Sequence, residues 1–500
     1  MEKNKNNIIA LLLSALGFIY IVYYIFRAST NVVTSDYMRI VNSYLYDVTD
    51  LKYLTSIESI SRIPFTFLAR FINVRLFDYN VFFDKILGAF GLLILNLVTV
   101  KYILKTVETS FIKIIASIVV TFISFSLMSW EMILNGTGYA HFLTIGLISI
   151  TYYLFDIFAA RRGEPANRRG EHCEPATCRG ELYEPKLIIL VIVTSLCFAG
   201  SYTVSYNCTL IFFSIIELIL IAKNRGMFDK SCRARLTTYI SIIIVSIICT
   251  TLYMISNNTG EALIPVGFKD ISLMELLKTN SSFPIRFILK SLASSIIGVE
   301  TFDYAINFGT ITEKIIYLFG IIYILIILWT IFAVIVGRLV GASYTSPMLF
   351  PFMYVIYGLM NYMFVFLARY KFIRDEYGMT SRYALQYMFL SIGIVILLSI
   401  FIDKVFVEKN FTTKNIVMSL VSLACIFVLY FGNVVTSCDE IYKADYRKII
   451  YTNLVDIAKN SDNYTDEELE NIFEYHRDPN HIRNTFKILK EQKLNVFETK

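Results

Sequence analysis

Three stretches of the chain carry side chains suited to chemistry, and each is short. In NVVTSDYMRI, Asp36 could take a proton from an acceptor hydroxyl or ligate a divalent metal. An Asp that follows Thr34-Ser35 could equally cap a helix. In ARYKFIRDEYGMTSRY, Arg369, Lys371, Arg374 and Arg382 gather in one loop. Guanidinium groups hold phosphate through two parallel hydrogen bonds, so a lipid phosphate or pyrophosphate is the natural partner. Pairing with Asp375 and Glu376, or nonspecific contact with lipid headgroups, is the alternative. Arg382 is the sharpest of the four because it stands at the mouth of an apolar run. In SWEMILNGTGYAH, Trp130 offers a stacking face, Glu131 could hold a sugar hydroxyl or a metal, and Gly136 and Gly138 would let backbone approach a ligand ahead of Tyr139 and His141. Against this, Trp and Tyr populate the aromatic belts of membrane proteins, and a lone His is usually a satisfied polar residue.

Positioning these residues falls to apolar helices. The chain has 500 residues, 56% hydrophobic and 17% charged, with a mean hydropathy of +0.58; a soluble domain carries about a quarter charged residues. Runs able to span about 30 Å of hydrocarbon fall at 8–28, 82–104, 111–129, 139–160, 187–201, 205–222, 236–256, 314–337, 347–368, 383–402 and 415–432. The fold expected is an all-α polytopic membrane protein with about eleven transmembrane helices. The first run is too long for a signal peptide and no small-residue cleavage site follows it, so it reads as a retained helix.

Basic residues in short loops (Lys101, Lys105, Lys113, Arg161, Arg162, Lys223, Arg225, Arg338, Lys404, Lys409) mark one side as cytoplasmic, together with the N-terminus. All three chemical stretches then lie on the other side. Residues 29–81 and 257–313 form extracytoplasmic loops in which Tyr44–Leu54, Ile57–Phe77 and Met274–Ile297 suit helices lying in the interface. Residues 161–185 are a polar, Pro- and Gly-rich cytoplasmic loop of low complexity. Residues 1–432 form the transmembrane domain and 433–500 an extracytoplasmic helical tail, where Thr465 and Glu468 are spaced as a capping box.

The net charge of +6 is spread through loops, and no nucleic-acid module is visible. There is no G-x-x-x-x-G-K-[ST], G-x-S-x-G or H-E-x-x-H, so nothing supports a cytoplasmic ATPase, an α/β-hydrolase or a zincin. Cys173 and Cys178 lack the second half of a zinc site.

Four elements, in order along the chain, resemble bacterial multi-pass proteins of the GT-C glycosyltransferase type, many of them surface-polysaccharide proteins. They are Ser35-Asp36-Tyr37 in the first outer loop, Trp130-Glu131 with Gly136, Ser381-Arg382-Tyr383 at the start of a late helix, and the ending Asp478-Pro479 through Leu494-Asn495-Val496-Phe497. The resemblance implies a GT-C-like fold and transfer of a sugar from a polyprenyl-phosphate carrier to an extracytoplasmic glycan, lipid or protein. It further implies Asp36 as base or metal ligand and Arg382 as the donor phosphate group's partner. Tyr37 stands where many relatives carry a second acidic residue.

The expectation is therefore a glycosyltransferase of the bacterial cytoplasmic membrane. Asp36 would be catalytic; Arg382, Arg374, Lys371 and Tyr383 would bind the donor phosphate; Glu131, Trp130 and His141 would bind sugar or acceptor. No cofactor is required by these residues, although Asp36 could take a divalent metal. A lipid-linked sugar transporter or flippase, and a noncatalytic scaffold of an envelope polysaccharide assembly, are the alternatives. A transporter would need charges along a path through the helices, and Glu217 is one of few.

Overall fold

The computed structural model describes residues 2–45, 48–52, 64–160, 178–223, 230–258, 271–298, 301, 310–339, 348–475 and 479–498. The helices are α1 (Glu2–Ala28), α2 (Asp36–Tyr44), α3 (Pro64–Phe77), α4 (Val81–Thr106), α5 (Ser110–Ser124), α6 (Trp130–Leu134), α7 (Tyr139–Ala160), α8 (Cys178–Val193), α9 (Thr203–Lys223), α10 (Lys230–Asn258), α11 (Leu273–Thr279), α12 (Phe283–Ala293), α13 (Thr310–Leu339), α14 (Leu349–Arg369), α15 (Ser381–Val407), α16 (Thr413–Lys459), α17 (Asp466–Ile472) and α18 (Pro479–Glu491). No strand occurs among the described residues. Ten helices among them are long and apolar enough to cross a bilayer. The remaining expected crossing, 187–201, is represented by the shorter apolar helix Pro185–Phe198, whose end widens into a π-helical turn at Thr194–Phe198. The protein is an all-α polytopic membrane protein.

Helices exposing leucine, isoleucine and phenylalanine outward, such as Ile8, Leu325 and Phe427, have no aqueous solution to their burial problem. A hydrocarbon surround resolves it, because only helices satisfy every backbone polar group there. Inside the bundle, glycines set the close approaches. A methyl group on Gly91 of α4 would overlap the Phe142 carbonyl of α7, and one on Gly358 of α14 would crowd Leu390 of α15. α15 is the most enclosed span, with 83% of its apolar window buried, so it forms the axis around which the others pack.

Two buried carboxylates fasten the end of the bundle remote from Asp36. Asp403 of α15 accepts from the Glu108 and Thr109 amides at 2.9 and 2.8 Å, just before α5. Asp156 of α7 accepts from Leu349 and Phe350 at the start of α14, at 2.8 and 3.1 Å. Carboxylates at helix N-termini satisfy free amides and oppose the helix dipole.

At the other end lie the short helices. Of the expected interfacial segments, α2 and α3 cover parts of 29–81, α11 and α12 cover part of 274–297, and residues 46–47 and 53–63 lie outside the described set. The low-complexity residues 161–177 also lie outside it, and α8 begins at Cys178. α16 has 47 residues, about 70 Å of helix at 1.5 Å per residue, more than twice the hydrocarbon thickness. It passes residues 432 and 433 without a break and carries the chain well beyond the bilayer.

The C-terminal elements then return to the first loop. Thr485 donates to the Met38 carbonyl at 3.1 Å and Gln492 to the Leu45 carbonyl at 3.1 Å. The Asn495 side-chain amide donates to Asn31 and to the Tyr79 carbonyl, both at 2.9 Å. Val33, Met38, Val41, Phe473, Ile482, Phe486 and Leu489 form one apolar cluster distinct from the bundle core.

Candidate functional site

α2 begins at Asp36 after Ser35, whose φ of 48° is unusual for a residue with a side chain. The turn drives Tyr37, Met38 and Val41 inward, all at most 1% exposed, and leaves Asp36 half-buried. Beneath it sits a charged knot. The Tyr37 hydroxyl donates to Asp84 at 2.7 Å, Asn73 donates to the same carboxylate at 3.2 Å, and Arg70 pairs with it. The Arg70 guanidinium is also 5.0 Å from the Tyr37 ring, 5.6 Å from Tyr79 and 5.4 Å from Tyr139. Arg70 and Asp84 are wholly buried, which is tolerable because the pair is hydrogen-bonded and roofed by aromatic faces. Tyr37 thus reaches a carboxylate supplied by α4.

Glu131 enters from α6. Asn135 ends that helix and accepts from the Thr137 amide at 3.1 Å, starting the turn through Gly136 and Gly138. A methyl on Gly136 would overlap the Tyr37 hydroxyl, so this glycine is what lets the stretch around Asp36 and the stretch around Glu131 touch. Ser381 and Arg382 enter from the first turn of α15. Ser381 donates to one Glu131 oxygen at 3.1 Å and Arg382 Nε pairs with the other. Asp36 lies within electrostatic reach of both Arg382 and His141. The Arg382 side chain is 47% exposed and that of Glu131 27%, so both present charge to the surroundings.

Trp130 and His141 complete this group. His141 packs edge-on to Tyr202 at 5.0 Å, and its buried Nδ1 has no hydrogen-bond partner among the described residues. The Trp130 indole nitrogen is likewise buried without an acceptor. Its ring is covered at 3.2 Å by the Arg447 guanidinium from α16. Arg447 is held there by Glu440 through two 3.0 Å hydrogen bonds, with Tyr24 donating to the same carboxylate at 3.3 Å. Arg447 was not among the residues expected from sequence. It lies beyond residue 432, where the composition turns polar, although an arginine on a helix rich in tyrosine is a readable signal for cation–π contact.

The basic loop divides. Arg369 donates to the Tyr383 hydroxyl and lies 5.6 Å from its ring. Lys371 is half-buried and Arg374 exposed. Asp375 pairs with Arg286 and Lys290 of α12, each at 2.7 Å. Burial alone would push the Asp375 carboxyl up, yet hydrogen bonds from Lys290 and Arg286 hold it below the ordinary carboxylate range. This lock, built from α12, fixes the turn that leads into Ser381.

One face of α15 descends from Ser381 through Ala384 and Met388 to Ser391, and along it lies a narrow cavity of about 20 Å³, lined also by Ser129, Ser295 and Asn433. That is room for about one water. Its lining is uncharged and mixes serines and Asn433 with Ile123, Met128, Ala384 and Met388.

Among the described residues no group of three His, Cys, Asp or Glu side chains is arranged to hold a metal ion. Glu131 is engaged by Ser381 and Arg382. Chemically, the arrangement offers a half-buried carboxylate, a guanidinium with an exchangeable partner and an aromatic platform, all at one end of the bundle. Comparison of the chain with protein-family models, with curated proteins and with solved structures finds no match in any of the three.

Proposed function

We propose that the protein is a glycosyltransferase that moves a sugar from a polyprenyl-phosphate carrier to an acceptor on the outer side of the bacterial cytoplasmic membrane, with the N-terminus in the cytoplasm. One observation carries the reading: Asp36, Glu131 and Arg382, from three distant stretches of sequence, converge at one end of a membrane bundle. A site that handles a lipid phosphate and a sugar hydroxyl together needs a base and a cation near the bilayer surface.

In this mechanism the acceptor oxygen forms a bond to the anomeric carbon as the bond from that carbon to the phosphate oxygen breaks. The electron pair leaves with the phosphate, and the acceptor proton passes to Asp36. Arg382 exchanges Glu131 for the phosphate and stabilises the charge developing there. Glu131, released, accepts from sugar hydroxyls, and Trp130 gives the ring a face to lie on.

The test is release of polyprenyl phosphate from a panel of polyprenyl-phosphate sugars by the purified protein with cell-envelope acceptors. Asp36→Asn and Arg382→Ala should each lower release by about a hundredfold or more, with unchanged thermal unfolding. Equal rates in all three proteins would remove the site and bring lipid-linked sugar transport forward.

A further inference from the structure

Lys85, in the first turns of α4, is only 4% exposed, and its ammonium nitrogen has no hydrogen-bond partner among the described residues. A buried ammonium without a hydrogen-bonded partner is costly, so this side chain requires a cause. The neighbouring charges do not supply one. Asp84, adjacent in sequence, is committed to Arg70, Tyr37 and Asn73. Glu440 is committed to Arg447 and Tyr24. Lys448 adds a second positive charge within electrostatic reach of Lys85, and its own nitrogen is spent on the Phe26 and Ser29 carbonyls at the end of α1. Around the wedge between α1, α4 and α16, Arg70 and Arg447 are paired with Asp84 and Glu440. Of the carboxylates that remain close, Asp84 lies within electrostatic reach of Lys85, and Glu474 and Glu131 within reach of Tyr451, yet none of them hydrogen-bonds the Lys85 nitrogen.

What borders that wedge is the candidate site. The Lys85 nitrogen lies 5.3 Å from the Tyr451 ring. Tyr451 is one helical turn beyond Arg447, which covers Trp130, and it lies within electrostatic reach of Glu131. Lys85 and the Trp130 indole N–H, two buried donors with no acceptor among the described residues, therefore flank the same face of α16.

We infer that Lys85 forms, with the Trp130 indole, an inner subsite for an oxyanion of the phosphate type, separate from the position facing Arg382. The anion supplies the hydrogen-bonding partner that the Lys85 nitrogen lacks among the described residues. The inference does not depend on the transferase reading, since any substrate carrying such a group would meet the same cation.

The full-length protein in neutral detergent tests it, with thermal unfolding followed against inorganic phosphate and, separately, a long-chain alkyl phosphate, each compared with chloride at equal ionic strength. Wild type should be stabilised by one or both oxyanions beyond the chloride control. A response to alkyl phosphate alone identifies a lipid headgroup as the source, and a response to inorganic phosphate a soluble one. Lys85→Met should unfold at the same or a higher temperature without anion and bind it about tenfold more weakly or worse, whereas Lys85→Arg should retain the response. Absence of any oxyanion effect in wild type overturns the inference whether or not the variants fold. An undiminished effect in Lys85→Met does so too.

Discussion

Charge buried at Arg70 and Asp84 explains much of how Asp36 is held. Removing one partner leaves the other ionised in an apolar setting, a loss of about 3–5 kcal/mol in comparable buried pairs. Arg70→Met should therefore lower the unfolding temperature in detergent sharply, and Arg70→Met combined with Asp84→Leu should recover part of it. A double variant as unstable as the single one would mean that packing around the aromatic rings, and not the unpaired charge, sets the loss. Acid acts at Asp375. Its folded carboxyl lies below the unfolded one, so its ion pairs stabilise the fold fully above the unfolded value near 4. That contribution disappears as the pH falls through the folded value. Between pH 6 and pH 3, wild type should lose more thermal stability than Asp375→Asn, which begins lower; parallel loss would show that other groups govern acid sensitivity.

For the helices, closeness of approach is the deciding variable. α4 and α7 meet through Gly91 and Gly146, where any side chain on Gly91 would strike the Phe142 carbonyl. Because backbone cannot yield as a side chain can, Gly91→Val should destabilise by about 1–3 kcal/mol or more, read as a lower unfolding temperature. An unchanged temperature would mean that the two helices separate freely. Sequence shows a glycine in an apolar run at this position, but not which helix it faces. The capping box expected from Thr465 and Glu468 is formed, with the Thr465 amide donating to Glu468 at 2.7 Å and the Glu468 amide to Thr465 at 3.3 Å. Here the pattern was legible because both partners are local, and neither needs a neighbour to find the other.

Across the whole molecule, the C-terminal elements act as a lid on the first loop. Ile482, Phe486 and Leu489 cover the apolar side of α2 on which Asp36 is mounted. Deleting residues 460–500 should uncover that surface, lower thermal stability and abolish whatever activity depends on Asp36, while the bundle still inserts in membranes. Full activity in the truncated protein would show that α2 is positioned without the lid.

The sequence by itself determined that the chain is helical and membrane-spanning, because composition and run length answer directly to the thickness of hydrocarbon. It also singled out Asp36, Glu131 and Arg382, since charged side chains are conspicuous against apolar runs. Only the tertiary structure decided that Arg382 meets Glu131, that Asp375 is locked to α12, and that Arg447 and Lys85 border the same place. Those pairings join residues as far apart as Lys85 and Tyr451, and a contact over such a separation is set by how ten helices pack. No local periodicity records it.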